Sequence, residues 1–197
     1  SRKMGSVTVP EDEPDTEFPD VTIHTEIQWA LLKLGNDMGL DVWVARNDRG
    51  KEVKGNKFSE LSRVVTELPL QFDEATTKTI EMIDVLWLKG NAIVAAFEIE
   101  STTSIYSGLL RMSDLITMQP NITIPLFIVA PDDRRNKVMS EINRPTFGRL
   151  NPPLRDLCRY LSFSTLQKHV PKVSEYVRYL KPEFLDDIAE TCEVDEH

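Results

Sequence analysis

The hydrophobic and polar positions along the chain follow two periods, which predict helices and strands in turn. From Thr22 to Gly39 apolar residues recur at helical spacing, whereas Leu40–Arg46 alternates like a strand. Ile124–Val129 is uniformly apolar, as is typical of a buried central strand, and Leu157–Phe163 indicates an edge strand. The order helix, strand, hairpin, helix, strand, helix and strand predicts an α/β fold with a mixed central β-sheet flanked by helices.

Turn and capping residues predict the boundaries between these elements. Residues 47–56 are polar and contain glycine, which indicates a loop. A helix is expected to run to about Met118, and Pro131 opens a charged helix that ends near Asn143. Ser164 is a candidate cap for a helix over Thr165–His169.

Two hydrophobic runs, TIEMIDVLWL and AIVAAFEIE, meet at the turn formed by residues 89–91, and both are predicted to be buried β-strands. Asp84 lies in the first run, and Glu98 and Glu100 close the second. Because side chains on a strand alternate between faces, Glu98 and Glu100 point the same way. Pairing of residues whose numbers sum to 182 would place Asp84 opposite Glu98, whereas a shift of one residue would turn Asp84 away.

Three buried like charges are costly unless a cation neutralises them. Mg²⁺ or Mn²⁺ is the simplest candidate, because these ions prefer carboxylate oxygens and keep water for chemistry. The alternative is that Asp84, Glu98 and Glu100 face solvent at the edge of a hairpin or pair with bases such as Lys89. The apolar character of the flanking runs favours the metal site.

Asp84, followed after thirteen residues by Glu98-Ile99-Glu100, resembles the active-site hairpin of the restriction-endonuclease-like, or PD-(D/E)xK, nuclease superfamily. The resemblance covers residues 22–170 and implies a restriction-endonuclease-like fold. Ile83-Asp84 matches the first motif without its proline, and Glu98 matches the acid of the second motif. Glu100 stands where the family usually has the lysine held to orient or activate water, and some similar enzymes carry Glu there and remain active.

The resemblance and the helix positions suggest further site residues. Family members often carry a Glu on the first helix, which corresponds to Glu26, although an ordinary helix glutamate is the alternative. The nearby His24 could belong to a different metal site or be structural. The N-terminus of the helix that follows the hairpin favours a phosphate, so its hydroxyl residues could contact DNA or simply cap the helix. Arg111 could supply the positive charge missing at Glu100. The candidate DNA phosphate contacts are Thr102, Thr103, Ser104 and Arg111.

The charge of the chain is uneven. The net charge is −9, but residues 21–182 hold 21 bases against 19 acids. We therefore expect an acidic flexible arm or linker end at 1–20, a nuclease-like domain at 21–182 and an acidic C-terminal tail at 183–197. A DNA-binding surface needs only local clusters of bases, which could equally be solvated faces. Two clusters are candidates: Arg46, Arg49, Lys51, Lys54 and Lys57; and Arg134, Arg135, Lys137, Arg144, Arg149, Arg155 and Arg159.

Neither a membrane span nor a secretory signal is expected, and the two cysteines suggest no disulfide framework. A cytoplasmic location fits best, with Cys158 a buried apolar residue and Cys192 a tail residue.

The resemblance implies a Mg²⁺- or Mn²⁺-dependent DNA endonuclease, the cleavage module of a restriction or defence protein. Two copies would be needed for double-strand scission, which suggests a homodimer, and an upstream domain of the same polypeptide is a further expectation. The alternative, favoured by Glu100 and the acidic tails, is a catalytically degenerate nuclease fold that acts as a DNA-binding or protein-interaction module.

Overall fold

The computed structural model describes residues 19–69, 72–101, 105–118 and 123–193. In this part of the chain six strands form a mixed sheet in the order β1, β4, β5, β6, β7, β8. Pairing is parallel from β5 through β7 and antiparallel elsewhere in the sheet. A separate two-stranded ribbon joins β2 and β3. The strands are β1 (Asp41–Val44), β2 (Glu52–Val53), β3 (Asn56–Lys57), β4 (Val85–Lys89), β5 (Ala92–Ile99), β6 (Leu126–Ala130), β7 (Cys158–Ser162) and β8 (Glu190–Thr191).

Helices cover both faces of the sheet, so the predicted α/β fold with a mixed central sheet is confirmed. It is compatible with a restriction-endonuclease-like fold. Helices α2 to α6 contribute to the core on one face, and α1, α7 and α8 contribute on the other. The helices are α1 (Pro19–Asp37), α2 (Glu74–Glu81), α3 (Tyr106–Met118), α4 (Arg135–Ile142), α5 (Pro145–Gly148), α6 (Leu154–Leu157), α7 (Phe163–Val173) and α8 (Leu185–Ile188).

The core on the α1 face contains a chain of aromatic contacts. The ring of Phe97 on β5 lies 4.8 Å from that of Trp87 on β4 and 5.2 Å from that of Phe127 on β6. All three side chains are buried. Aromatic pairs at these separations add specific packing energy to the burial of apolar area, so this layer fixes the middle of the sheet.

Helix α1 lies unusually close to β4. The indole nitrogen of Trp87 donates to the Leu31 carbonyl at 3.0 Å. A methyl group at Gly35 would lie only 2.5 Å from that nitrogen and 2.8 Å from Val42 Cγ1. The glycine therefore permits the approach, and the hydrogen bond satisfies an indole that would otherwise be buried without a partner.

The run TIEMIDVLWL is not one strand, contrary to the prediction. Its first residues belong to α2, which was not predicted, and β4 begins only at Val85. Asp73 caps this helix, because its side chain accepts a hydrogen bond from the Thr76 amide at 2.9 Å. The strong local cap and the burial of Ile80 against the sheet override the β-propensity of the run.

Several predictions for the C-terminal part of the chain are wrong. Strand β7 is not at the edge, because β8 pairs with it. Ser162, rather than Ser164, caps α7 by accepting from the Thr165 amide at 3.1 Å. Cys192 is buried rather than a tail residue, because the chain returns to the sheet.

The interval of residues 47–56, predicted to be a loop, contains β2 and the start of β3. No described helix is long and apolar enough to cross a bilayer.

Candidate active site

Three carboxylates gather where β4 begins and β5 ends. Val85 pairs with Phe97 and Leu86 with Ala96, so the predicted pairing, with numbers that sum to 182, is confirmed at this end of the hairpin. Continuing that register by one residue sets Asp84 opposite Glu98. The register shift between β4 and β5 occurs nearer the turn, after Trp87, and leaves the acidic end in phase.

All three acidic side chains are buried. The exposed fractions are 9% for Asp84, 0% for Glu98 and 6% for Glu100. The backbone amide of Ile99 donates to Asp84 Oδ2 at 2.7 Å, which fixes that side chain against β5. A buried carboxylate needs such a hydrogen-bond partner or a neighbouring positive charge. Burying an ionised carboxylate without either costs on the order of several kcal/mol of folding free energy.

Arg111, on α3, provides the counter-charge. Its Nε donates to Glu98 Oε1 and its Nη2 to Glu98 Oε2, each at 2.8 Å, which makes a bidentate ion pair. Burial nevertheless raises the pKa of Glu98 well above its usual value, against the opposing effect of Arg111 and with the charge of Asp84 adding to the rise. The hydrogen bonds to Glu98 raise the pKa of Arg111, so the guanidinium stays charged.

Glu100 is held by the first turn of α3. The Gly108 amide donates to Glu100 Oε1 at 3.2 Å. A Cβ at position 108 would collide with that oxygen and lie 3.1 Å from Glu98 Cβ, so the helix can approach the acids only because residue 108 is glycine. Burial, followed by the charge of Asp84, raises the pKa of Glu100 to about 8.

Helix α1 supplies two contacts to Asp84 that sequence reasoning did not assign. His24 Nε2 lies 3.6 Å from Asp84 Oδ2. Gln28, one turn further along, is fully buried and donates from Nε2 to the Asp84 carbonyl at 3.1 Å and to Asp48 Oδ2 at 3.0 Å. The spacing of four residues, which puts both side chains on one helix face, was the signal that could have found them.

Glu26 lies on a different side of α1. It lines a cavity of about 280 Å³ together with Trp29, Lys54, Asn56 and other residues, and none of the three hairpin acids lines that cavity. Glu26 therefore borders a cavity separate from the hairpin acids, and its role in the site stays a prediction. The hydroxyl residues Thr102, Thr103 and Ser104 lie outside the described residues, and their predicted contact with phosphate also stays a prediction.

Most bases of the two predicted clusters have acidic neighbours. The guanidinium of Arg49 instead stacks over the Trp43 ring, 4.5 Å from its centroid. The ion pairs with acidic neighbours leave less unpaired positive charge in the two clusters than the sequence indicates. The ion pairs are Arg46 with Glu81, Lys51 with Asp48, Arg135 with Glu190, Lys137 and Arg144 with Glu141, Arg155 with Asp156, and Arg159 with Asp186.

The chemistry of the acids suits Mg²⁺ or Mn²⁺, but their present arrangement is incomplete as a metal site. The donors are all carboxylate oxygens, and their mutual repulsion contributes to the raised pKa values of Glu98 and Glu100. Among the described residues, no group of three or more His, Cys, Asp or Glu side chains is arranged to hold a metal ion as it stands. Both oxygens of Glu98 are engaged by Arg111.

Comparison with known proteins identifies the family to which this chain belongs. Residues 8–192 match the family model described as the C-terminal domain of the type II restriction enzyme NmeDI. The chain belongs to this family. The type II restriction enzyme NmeDI of Neisseria meningitidis serogroup C is 31% identical over 181 residues, an alignment that covers 86% of this chain and 49% of the relative. This member of the NmeDI C-terminal-domain family thus spans about half the length of that relative. No solved structure matches it.

Proposed function

We propose that this NmeDI-family domain is the cleavage module of a DNA endonuclease and that Asp84, Glu98 and Glu100 bind its Mg²⁺ or Mn²⁺. The observation that carries the proposal is the burial of three acids on one face of the hairpin, where Arg111 is the guanidinium paired with them among the described residues. Such a cluster opposes folding more than it assists it, so a ligand is the better explanation of its presence. The identity of the relative as a type II restriction enzyme supports DNA as the substrate.

We further propose that the hairpin is the PD-(D/E)xK variant in which Glu100 replaces the usual lysine. When bound, a divalent cation neutralises the charge that develops on the phosphate and polarises the attacking water. Glu100 would be the general base, because a carboxylate beside the attacking water can accept its proton. Asp84 is oriented for its part by the Ile99 amide and by His24.

Arg111 has two roles in this proposal. In the cation-free protein its guanidinium compensates Glu98. If Glu98 held the cation, the Arg111 guanidinium would be available to a DNA phosphate, which it could contact with two parallel hydrogen bonds. This exchange supplies a positive charge near the position where the family usually has lysine. Thr102, Thr103 and Ser104 would extend the phosphate contact.

Two such centres are needed to cut both strands, so the proposal includes a homodimer. It also includes an upstream domain in the same polypeptide, in line with the greater length of the relative.

The test combines plasmid nicking with metal binding. We expect nicking of supercoiled plasmid in Mg²⁺ or Mn²⁺ by the unmodified chain and its loss in Asp84→Asn and Glu100→Gln. Mn²⁺ binding measured by calorimetry should weaken in both variants. Glu141→Gln is the matched control, because Glu141 is also a buried acid but pairs with Lys137 and Arg144. Nicking that survives in both site variants would contradict the assignment.

A second candidate function is a degenerate nuclease fold that binds DNA or a protein without cutting. The engagement of both Glu98 oxygens by Arg111 and the absence of a ready metal cluster among the described residues favour it. Retention of plasmid in a gel-shift assay, with neither nicking nor Mn²⁺ binding, would support this module over the enzyme.

A further inference from the structure

A pair of buried thiols lies at the opposite end of the sheet from the carboxylates. Arg159 pairs with Thr191 and Tyr160 with Glu190, so the same antiparallel register sets Cys158 directly across from Cys192. Both cysteines are buried, with exposed fractions of 1% and 0%, and both belong to the same core cluster. The two side chains therefore project to one face of the sheet from neighbouring strands.

The geometry of this pair suits a covalent bond. Directly opposed residues on antiparallel strands have Cα atoms about 4.5–5.5 Å apart, within the range of about 4.4–6.8 Å that disulfides use. Asn143 Nδ2 donates to the Cys192 carbonyl at 3.0 Å and holds the return of the chain against α4. The proximity of the Cys192 thiol, together with burial, raises the pKa of Cys158, so Cys158 is a poor nucleophile while β8 stays closed.

We propose that Cys158 and Cys192 form a redox site whose reversible disulfide clamps β8 to β7. The oxidant class is a low-molecular-weight disulfide. The Cys192 thiolate attacks one sulfur of that disulfide and releases one thiolate, and the Cys158 thiolate then attacks the Cys192 sulfur and releases the second. Two protein thiols and one disulfide thus become one protein disulfide and two small thiols, so electrons and protons balance.

Access to the pair comes through β8. This strand is two residues long, and Glu190 and Thr191 are exposed, so the polar contacts among the described residues that its opening breaks are the short ladder with β7, the Arg135–Glu190 ion pair and the hydrogen bond from Asn143 to the Cys192 carbonyl. Cys192 follows directly and is the thiol that opening presents to the oxidant, whereas Cys158 belongs to the longer β7. The closed disulfide would enclose residues 158–192, including α7 and α8, and restrict the unfolded chain over that interval.

The test uses the whole chain in buffers of oxidised and reduced glutathione. We expect the oxidised protein to lose two hydrogens by intact mass and to yield one linked peptide pair containing residues 158 and 192. Both thiols should disappear together in a thiol titration, and dithiothreitol should restore them. The Tm should rise by on the order of 5–10 °C on oxidation.

Single substitutions Cys158→Ala and Cys192→Ala serve as controls, because each leaves one thiol that can only retain glutathione. A parallel sample is refolded from the reduced, unfolded state in the oxidised buffer, so that slow access in the folded protein does not hide the reaction. The proposal is overturned if the unmodified chain keeps glutathione, links to a second molecule, or stays reduced after this refolding. A disulfide that leaves the Tm unchanged would overturn the clamp.

Discussion

The two faces of β5 use burial in opposite ways. Phe97 and Ile99 point to the α1 face and contact apolar side chains, whereas Glu98 and Glu100 point to the α3 face and carry carboxylates. Phe97, Glu98 and Ile99 belong to β5 and Glu100 follows directly, with its amide still bonded to the Val129 carbonyl of β6, so the backbone of both sets is paired with β6. One face therefore stabilises the fold, whereas the other holds a cluster of acids whose burial opposes folding, as the proposed function requires.

The sharpest way to break this comparison is to remove the stabilising face. Phe97→Ala deletes a fully buried ring that contacts Trp87 and Phe127. We expect the free energy of unfolding to fall by about 3–5 kcal/mol, measured by urea denaturation. Phe184→Ala is the control, because Phe184 is only partly buried beside the same cluster and should cost less. Equal losses of unfolding free energy in both variants would show that the buried aromatic layer contributes no more stability than a partly buried aromatic residue.

The next largest effect is expected on the charged face. Arg111→Met removes both hydrogen bonds to the buried Glu98 and should lower the free energy of unfolding by about 2–3 kcal/mol at neutral pH. The loss should shrink at pH 5, where Glu98 protonates readily because its pKa is raised. The double substitution Arg111→Met, Glu98→Gln should recover most of the stability. Arg49→Met is the control, since Arg49 stacks on Trp43 without a buried carboxylate.

A third prediction concerns pH in the absence of divalent cations. The pKa of Glu100 is raised from 4.5 to about 8 in the folded protein, so between these values the folded state binds more protons than the unfolded chain. The free energy of unfolding should therefore fall as pH rises through this interval, with a contribution on the order of 1–3 kcal/mol from this group. Glu100→Gln should flatten the profile measured in EDTA. An unchanged slope would contradict the burial of an ionisable group here.

The smallest effect tests the approach of α3 to the acids. Gly108→Ala places a methyl group against Glu100 Oε1 and Glu98 Cβ. We expect a loss of about 1–2 kcal/mol in thermal unfolding, since the steric cost exceeds the helix propensity gained by alanine. Gly50→Ala is the control, because no atom lies within 4 Å of the added Cβ there. A stabilised Gly108→Ala variant would mean that the helix and the acids are farther apart.

Elements with one dominant period were predictable from the sequence. The first helix and the apolar strand β6 follow local periodicity, and the register at Asp84 follows from alternation along both arms of the hairpin. Helix α2 was missed because its short amphipathic pattern runs directly into β4, so the two periods overlap in one apolar run. The return of β8 to the sheet depends on contacts with β7 that are distant in sequence, which no local pattern reveals.

For the site, the sequence indicated which acids share a face and suggested Arg111 as a nearby positive charge, but it did not indicate that Arg111 pairs with Glu98. The grouping of Asp84, Glu98 and Glu100 depends on strand alternation, a local property. The pairing of Arg111 with Glu98 depends on how α3 packs across the hairpin, and the contact of His24 with Asp84 depends on the tilt of α1. Such contacts are set by packing between elements, and residue spacing alone does not determine them.

The hydrogen bond between Trp87 and Leu31 has a consequence for how this sequence can vary. Because the indole at 87 occupies the space above Gly35, an indole there and any side chain at 35 exclude one another. Homologous sequences that enlarge position 35 should therefore carry a smaller residue at position 87. Substitutions at the two positions should therefore be coupled during evolution.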